Sequence, residues 1–334
     1  MNTKQAEEIV DAFYRGFLRR EPDDRSREHF VRSLCSGLSL TSLVEQFLAS
    51  SEFSAVREEK GLWVPAGHFY SPIVDPEQGA EFLDRLDQFP ESLPGLKIER
   101  EALRDTWDQM LPVFRDMPFQ GGPQDGYRYC FDNHSYSWGD GSVLHAMIRI
   151  LKPETIVEIG SGHSSACTLD TVDRYLAGQC GVYFIEPYPD LLHSVMGVLP
   201  ANVHIIPDQV QKTPIEMFTR LRANDILFID STHVMKAGSD VCFELFEILP
   251  RIASGVVVHF HDIFWPFEYP RSWVVDDNRS WNELYGLRAF LTSNDEWELV
   301  FFNDYFAKFD RKIIERDYPE FLNNTGGAFW IRKR

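Results

Sequence analysis

The chain is poor in cysteine, and the five it has are not placed where chemistry would gather them. Cys35, Cys130, Cys167, Cys180 and Cys242 are odd in number and widely spaced, with no C-x-x-C pair, so neither a disulfide framework nor a zinc knuckle is indicated. They suit a reducing compartment, and a cytoplasmic location is the expectation. Long apolar runs are missing too: none approaches the ~18 residues that a membrane helix needs. The first residues, Met1-Asn2-Thr3-Lys4-Gln5-Ala6-Glu7-Glu8, lack the basic-then-apolar order of a leader. Positive charge is scarce, with 33 Lys and Arg against 51 Asp and Glu, a net charge of −18 spread along the chain. That balance opposes binding to a phosphate backbone, so neither nucleic acid nor membrane is expected as a partner. The sequence has no internal repeat and no low-complexity segment, and 334 residues suffice for one or two domains with full cores.

What is present falls into three parts. In residues 1–54, Ile9, Val10, Phe13, Tyr14, Phe17 and Leu18 recur at helical spacing, Glu21-Pro22-Asp23-Asp24 breaks the pattern, and Phe30, Val31 and Leu34 resume it before Gly37. Leu43, Val44, Phe47 and Leu48 mark a further helix. Residues 55–126 are richer in proline and aromatics, with Gly67-His68-Phe69-Tyr70-Ser71-Pro72 as a loop and Phe82, Leu83, Leu86 and Phe89 as an amphipathic patch, which suits a linker and lid. From 127 to 334 strands alternate with helices as in an α/β doubly wound sheet. Strands are expected at 155–159, 182–186, 203–206, 226–230 and 255–260, with two late ones over 297–303 and 327–332.

The first strand runs into Gly160-Ser161-Gly162-His163-Ser164-Ser165, a glycine turn that opens a helix. In an open parallel sheet ligands bind beyond the carboxyl ends of the strands, where glycine lets a ligand approach the backbone and a helix start offers free N–H groups. A dinucleotide turn wants a third glycine or alanine, whereas Ser165 stands there. Glu186, at the tip of the next strand, is placed to accept both hydroxyl protons of a ribose. Asp208, after the third strand, is placed for the nucleoside base. Ile226 to Ile229 delivers Asp230 and then His233, and Val256 to Phe260 delivers His261 and Asp262 on the neighbouring strand. Adjacent strand tips lie about 5 Å apart, so these side chains can converge. Two carboxylates with an imidazole suit a divalent cation such as Mg2+.

Glu158-x-Gly160-x-Gly162 resembles the first motif of the class I S-adenosylmethionine-dependent methyltransferases. Five parallel strands with a terminal hairpin resemble their seven-stranded Rossmann-like sheet, whose last strand inserts antiparallel. Over roughly residues 65–333, Gly67 to Pro72, Arg128-Tyr129 with Asn133 and Gly139-Asp140, Val157 to Ser165, Asp230 to Val234, His259 to Pro266 and Trp281-Asn282-Glu283 are similar to the methyltransferase-24 family. The resemblance implies S-adenosylmethionine, held by Glu158, Gly160, Ser161, Gly162, Ser164, Glu186, Asp208 and Asp230, and methyl transfer to a small-molecule acceptor. Asp230 and the residues at 261–262 also resemble the sites of metal-dependent sugar and antibiotic O-methyltransferases. Carried over, Asp230, His261 and Asp262 would hold Mg2+ and His233 would be the catalytic general base, although His261 stands where those enzymes usually have a carboxylate. Phe13 to Asp23 with Phe47 to Phe53 looks like a DUF4214-type helical domain, which implies a protein partner through residues 1–54. Two other readings remain open here: an oxidoreductase using a dinucleotide of the NAD type, and a scaffold protein whose sheet no longer catalyses.

Overall fold

The structure is a computed structural model that describes residues 2–18, 20–53, 63–64, 66–86, 89–197 and 199–334. The expected junction between the helical part and the lid, at 54–55, lies outside the described residues. The chain packs as two compact units, Met1–Gly79 and Ala80–Arg334.

In the first unit the periodicity becomes three helices, Thr3–Phe13, Asp24–Cys35 and Leu40–Leu48. Each starts on a side chain that accepts a free N–H of the first turn: Asn2 from Gln5, Asp23 from Ser26 and Ser39 from Ser42. Their apolar faces meet in a core of Ala6, Val10, Tyr14, Leu18, Val31, Leu34, Leu43 and Phe47.

The second unit is built on one seven-stranded sheet. Its strands are β1 (Thr155–Ile159), β2 (Gly181–Ile185), β3 (Val203–Ile206), β4 (Ile226–Ile229), β5 (Val257–Phe260), β6 (Trp297–Phe302) and β7 (Phe329–Lys333), in the order β3-β2-β1-β4-β5-β7-β6. β1 to β5 pair in parallel, while β7 lies antiparallel between β5 and β6. β4 and β5 are buried at every position, which is why both read as unbroken apolar runs rather than alternating ones. Register fixes the site: Ile159 pairs with Ile229 and Ile229 with Phe260, so Gly160, Asp230 and His261 leave neighbouring strands at one level. The strand order changes direction at β1 and β4, which puts the ligand crevice between their carboxyl ends.

The stretch read as linker and lid contains a 15-residue helix, Arg100–Phe114, within the second unit. Leu103, Trp107, Met110 and Phe114 form its buried stripe, and Trp107 packs on Phe301, Phe306 and Phe321. Local proline content hid a helix whose stability comes from burial of this face. Of the patch at Phe82 to Phe89, Leu83 is buried and Phe82 is exposed. Among the described residues no helix is long and apolar enough to cross a membrane.

Candidate functional site

At the end of β1 Gly160 turns with φ of +77°, and a Cβ there would collide with the carbonyl oxygen of Asp230. Glycine therefore lets β1 and β4 end side by side and open a crevice. The cavity beyond them has a volume of about 440 Å3 and is lined by Gly160, Glu186, Tyr188, Gln209, Asp230 and Lys236, among others. Glu186 stands at the tip of β2, where one carboxylate oxygen accepts from the Ser161 N–H (3.2 Å) and the other from the Tyr188 N–H (2.8 Å). Each oxygen keeps a lone pair for a diol. The buried Ser161 hydroxyl has no hydrogen-bond partner, an unfilled polar position at the glycine turn. The sequence offered no sign of Tyr188, an exposed ring at this cavity that offers a flat apolar face.

Glu158, Ser164 and Asp208, expected as cofactor contacts, do not line this cavity. Glu158 is fully buried behind the turn, and one of its oxygens accepts from the hydroxyls of Ser164 (2.7 Å) and Ser165 (2.6 Å). Ser165 in turn accepts from the Gly162 N–H (3.0 Å), so the residue in place of a third glycine caps the helix His163–Tyr175. Burial pushes the Glu158 carboxyl up to about 8, against the pull of the two serine hydroxyls. Glu158 and Ser164 thus shape the turn from beneath. Asp208 accepts from the Gln209 N–H and pairs with Lys212 at 3.1 Å, and it is Gln209 to Gln211 that line the cavity.

Asp230, His233, His261 and Asp262 do converge. His233 leaves the end of β4 with φ of +60° and Asp262 leaves β5 with φ of +59°. Left-handed backbone at two non-glycine residues costs of order 1–3 kcal/mol each and gathers where geometry matters more than comfort. His233 Nε2 stands 3.5 Å from Asp230 Oδ1 and 3.7 Å from Asp262 Oδ2, and its Nδ1 stands 2.7 Å from Glu283 Oε2. The Trp281 ring lies 4.3 Å from its centre. Burial disfavours the His233 cation, but hydrogen bonds to Asp230 and Glu283 and their charges outweigh it, raising the ring to about 10.

His261, expected as a metal ligand, sits among three carboxylates. Its Nδ1 is 3.2 Å from Asp230 Oδ1, and its Nε2 is 3.3 Å from Asp140 Oδ2 and 3.7 Å from Asp262 Oδ1. The ring makes hydrogen bonds with Asp230 and Asp140. Among the described residues no three His, Cys, Asp or Glu side chains are arranged to hold a metal ion. Asp262, Asp230 and Asp140 raise His261 against the cost of burial. Burial works against the Asp230 carboxylate, yet His261 and His233 hold it well below the usual range, while burial pushes Asp262 up.

Two acids that the sequence reading assigned no role complete the cluster. Asp140, at the start of the helix Trp138–Leu151, accepts from the Ala328 N–H (2.9 Å) and from Asn303 (3.2 Å) besides facing His261. Glu283, fully buried at the start of the helix Glu283–Leu291, holds His233. Both stood inside family-like motifs, but only topology reveals which imidazole each one meets. Arg128, Tyr129, Asn133 and Tyr136 form a structural network: Arg128 pairs with Asp170 and Asp173, the Tyr129 hydroxyl and Asn133 donate to the Tyr136 carbonyl, and the Tyr136 hydroxyl meets His259. His259 stacks on Phe228 at 4.0 Å, and burial lowers it.

Residues 157–263 match the model of a family described as a methyltransferase domain, about a third of the chain and the part that bears β1 to β5. An uncharacterised protein of Archaeoglobus fulgidus is 28% identical over 179 residues, 52% of this chain and 80% of that one. Among solved structures, the SAH-bound methyltransferase PaMTH1 of Podospora anserina is 15% identical with a TM-score of 0.38, covering 76% of this chain and 96% of that one. The O-methyltransferase TomG of Streptomyces achromogenes, solved in complex with SAM, is 15% identical with a TM-score of 0.38, covering 77% and 95%.

Proposed function

We infer that the chain, whose residues 157–263 match a methyltransferase domain, is a class I S-adenosylmethionine-dependent methyltransferase that methylates a hydroxyl of a sugar or another small polar metabolite. One observation carries this reading: His233, clamped by Glu283, turns its Nε2 toward Asp262 and toward Asp230, which lines the cavity that Gly160 and Glu186 open.

Glu186 would hold the ribose of the cofactor through its two remaining lone pairs, the Ser161 hydroxyl gives a further polar contact, and Gln209 to Gln211 with Tyr188 face the nucleoside base. Asp230 borders both the cavity and the cluster, where a cationic group finds a ready counter-charge. When bound, S-adenosylmethionine supplies an electrophilic methyl group. The residues of this chain must then hold an acceptor oxygen in line with that carbon and remove its proton, and such positioning is itself a large part of the rate.

His233 is the group for the proton. Glu283 fixes Nδ1 as a donor and leaves Nε2 toward the acceptor side. Much of what keeps Nε2 protonated is Asp230. Once Asp230 is neutralised by a cationic partner its hold weakens, and His233 falls toward the range in which an imidazole takes a proton. Phe264, Trp273 and Trp281 are half-buried beside this corner, with Phe264 and Trp273 5.3 Å apart and Trp273 and Trp281 5.5 Å apart, and they offer edges and faces to the C–H surface of a sugar.

The test is His233→Ala, measured by calorimetry with S-adenosylhomocysteine and by methyl transfer over a panel of sugars and phenols. Loss of turnover by roughly 10²–10⁴-fold with affinity retained is expected, which is the range of one general base. Full turnover in that variant rejects the role of His233. Affinity for NAD without affinity for S-adenosylhomocysteine rejects the reading as a whole.

A further inference from the structure

Two aspartates at adjacent strand ends, with a third one behind, are the donor set that draws a divalent cation. In this protein an imidazole stands between them. His261 reaches Asp230 through Nδ1 and Asp140 and Asp262 through Nε2, at 3.2, 3.3 and 3.7 Å. Ionised carboxylates accept and do not donate, so the ring meets Asp230 and Asp140 as a donor, at 3.2 and 3.3 Å.

Geometry then counts against Mg2+. The ion asks for near-octahedral oxygens at about 2.0–2.1 Å and sheds its water reluctantly. Asp230 Oδ1, one of the two oxygens that the end of β4 would offer it, is shared by His261 Nδ1 and by His233 Nε2 at 3.5 Å. Nor is the ring free to leave: it is 6% exposed, the Tyr136 ring lies 5.1 Å away and the His259 ring 6.2 Å. Behind it Asp140 is held by the Ala328 N–H and Asn303.

We propose that His261 takes the place of a divalent cation at this site, so that the methyl transfer inferred above runs without a metal and the His261 ring, rather than an ion, orders Asp230 and Asp262. The proposal rests on reading this corner as the acceptor site, but its test does not need turnover.

Mn2+ is titrated into the wild-type protein, Asp230→Asn, His261→Glu and the double variant His261→Glu/Asp230→Asn, followed by electron paramagnetic resonance of free Mn2+, with the circular dichroism spectrum and the urea midpoint as the check on folding. The wild-type protein is expected to leave millimolar Mn2+ free, and its transfer rate to be unchanged by EDTA. His261→Glu is expected to bind Mn2+ and to lose it in the double variant. Mn2+ binding by the wild type that Asp230→Asn abolishes overturns the proposal, and so does a folded His261→Glu that binds none, since the ring would then not be the obstacle. Should His261→Glu fail to fold, the wild type and Asp230→Asn decide alone. A wild type that binds no S-adenosylhomocysteine counts against the proposed function and leaves the Mn2+ result standing.

Discussion

His233 and His261 stand 3.5 and 3.2 Å from the same oxygen of Asp230, yet their neighbours give them different work. His233 has one acid at its back, and removing that anchor separates orientation from proton transfer. Glu283→Gln is expected to lower kcat on the order of 10- to 100-fold, because the orienting acid acts only through the ring. S-adenosylhomocysteine affinity should stay unchanged, and a calorimetric titration beside the rate assay checks both. Glu158 gives a second prediction. Its carboxyl is pushed up to about 8 from 4.5, so between those values the folded chain keeps a proton that the unfolded chain has lost. Its contribution is therefore fully present below 4.5 and drains away as the pH rises through 8. Glu158→Gln stays neutral throughout and should flatten this loss, read by urea unfolding at the two ends of the window. At this scale the sequence showed residue types and spacing but not partners. Asp230, His233, His261 and Asp262 were legible because each lies within four residues of the end of an apolar strand. Glu283 and Asp140 were not, since they reach the cluster from helices 50 residues after His233 and 121 residues before His261.

The strands were legible as elements because a parallel sheet covered on both faces writes itself as short apolar runs. The helix Arg100–Phe114 was not, because its proline at 112 and the prolines beyond it masked a stripe at Leu103, Trp107, Met110 and Phe114. What turns elements into a site is the segment leading into β7. Gly326 has φ of +70°, and a Cβ there would meet the Asp140 carboxylate, while the Gly327 carbonyl accepts from the Ile263 N–H at 2.9 Å. Gly326→Ala should therefore cost roughly 2–4 kcal/mol, the range for a strained backbone position with a clash. The measurement is the urea midpoint. The outcome that argues against this account is a midpoint unchanged from wild type.

Each unit of the molecule has its own apolar core, Ala6 to Phe47 in one and a far larger cluster around the sheet in the other. A chain lacking residues 1–54 is accordingly expected to unfold in one cooperative step and to keep its affinity for S-adenosylhomocysteine. If the loss of those residues abolished the affinity, the helical part would belong to the catalytic machinery. The sheet adds a constraint of timing. β5 pairs with β4 on one side and on the other with β7, which lies 69 residues further along from Phe260 to Phe329. During synthesis the strand that carries His261 and Asp262 thus waits with one edge open, its peptide groups available to any other extended chain. The last-made strand is a plug as well as a wall, and until it arrives a nascent chain can pair with its neighbours as readily as with itself.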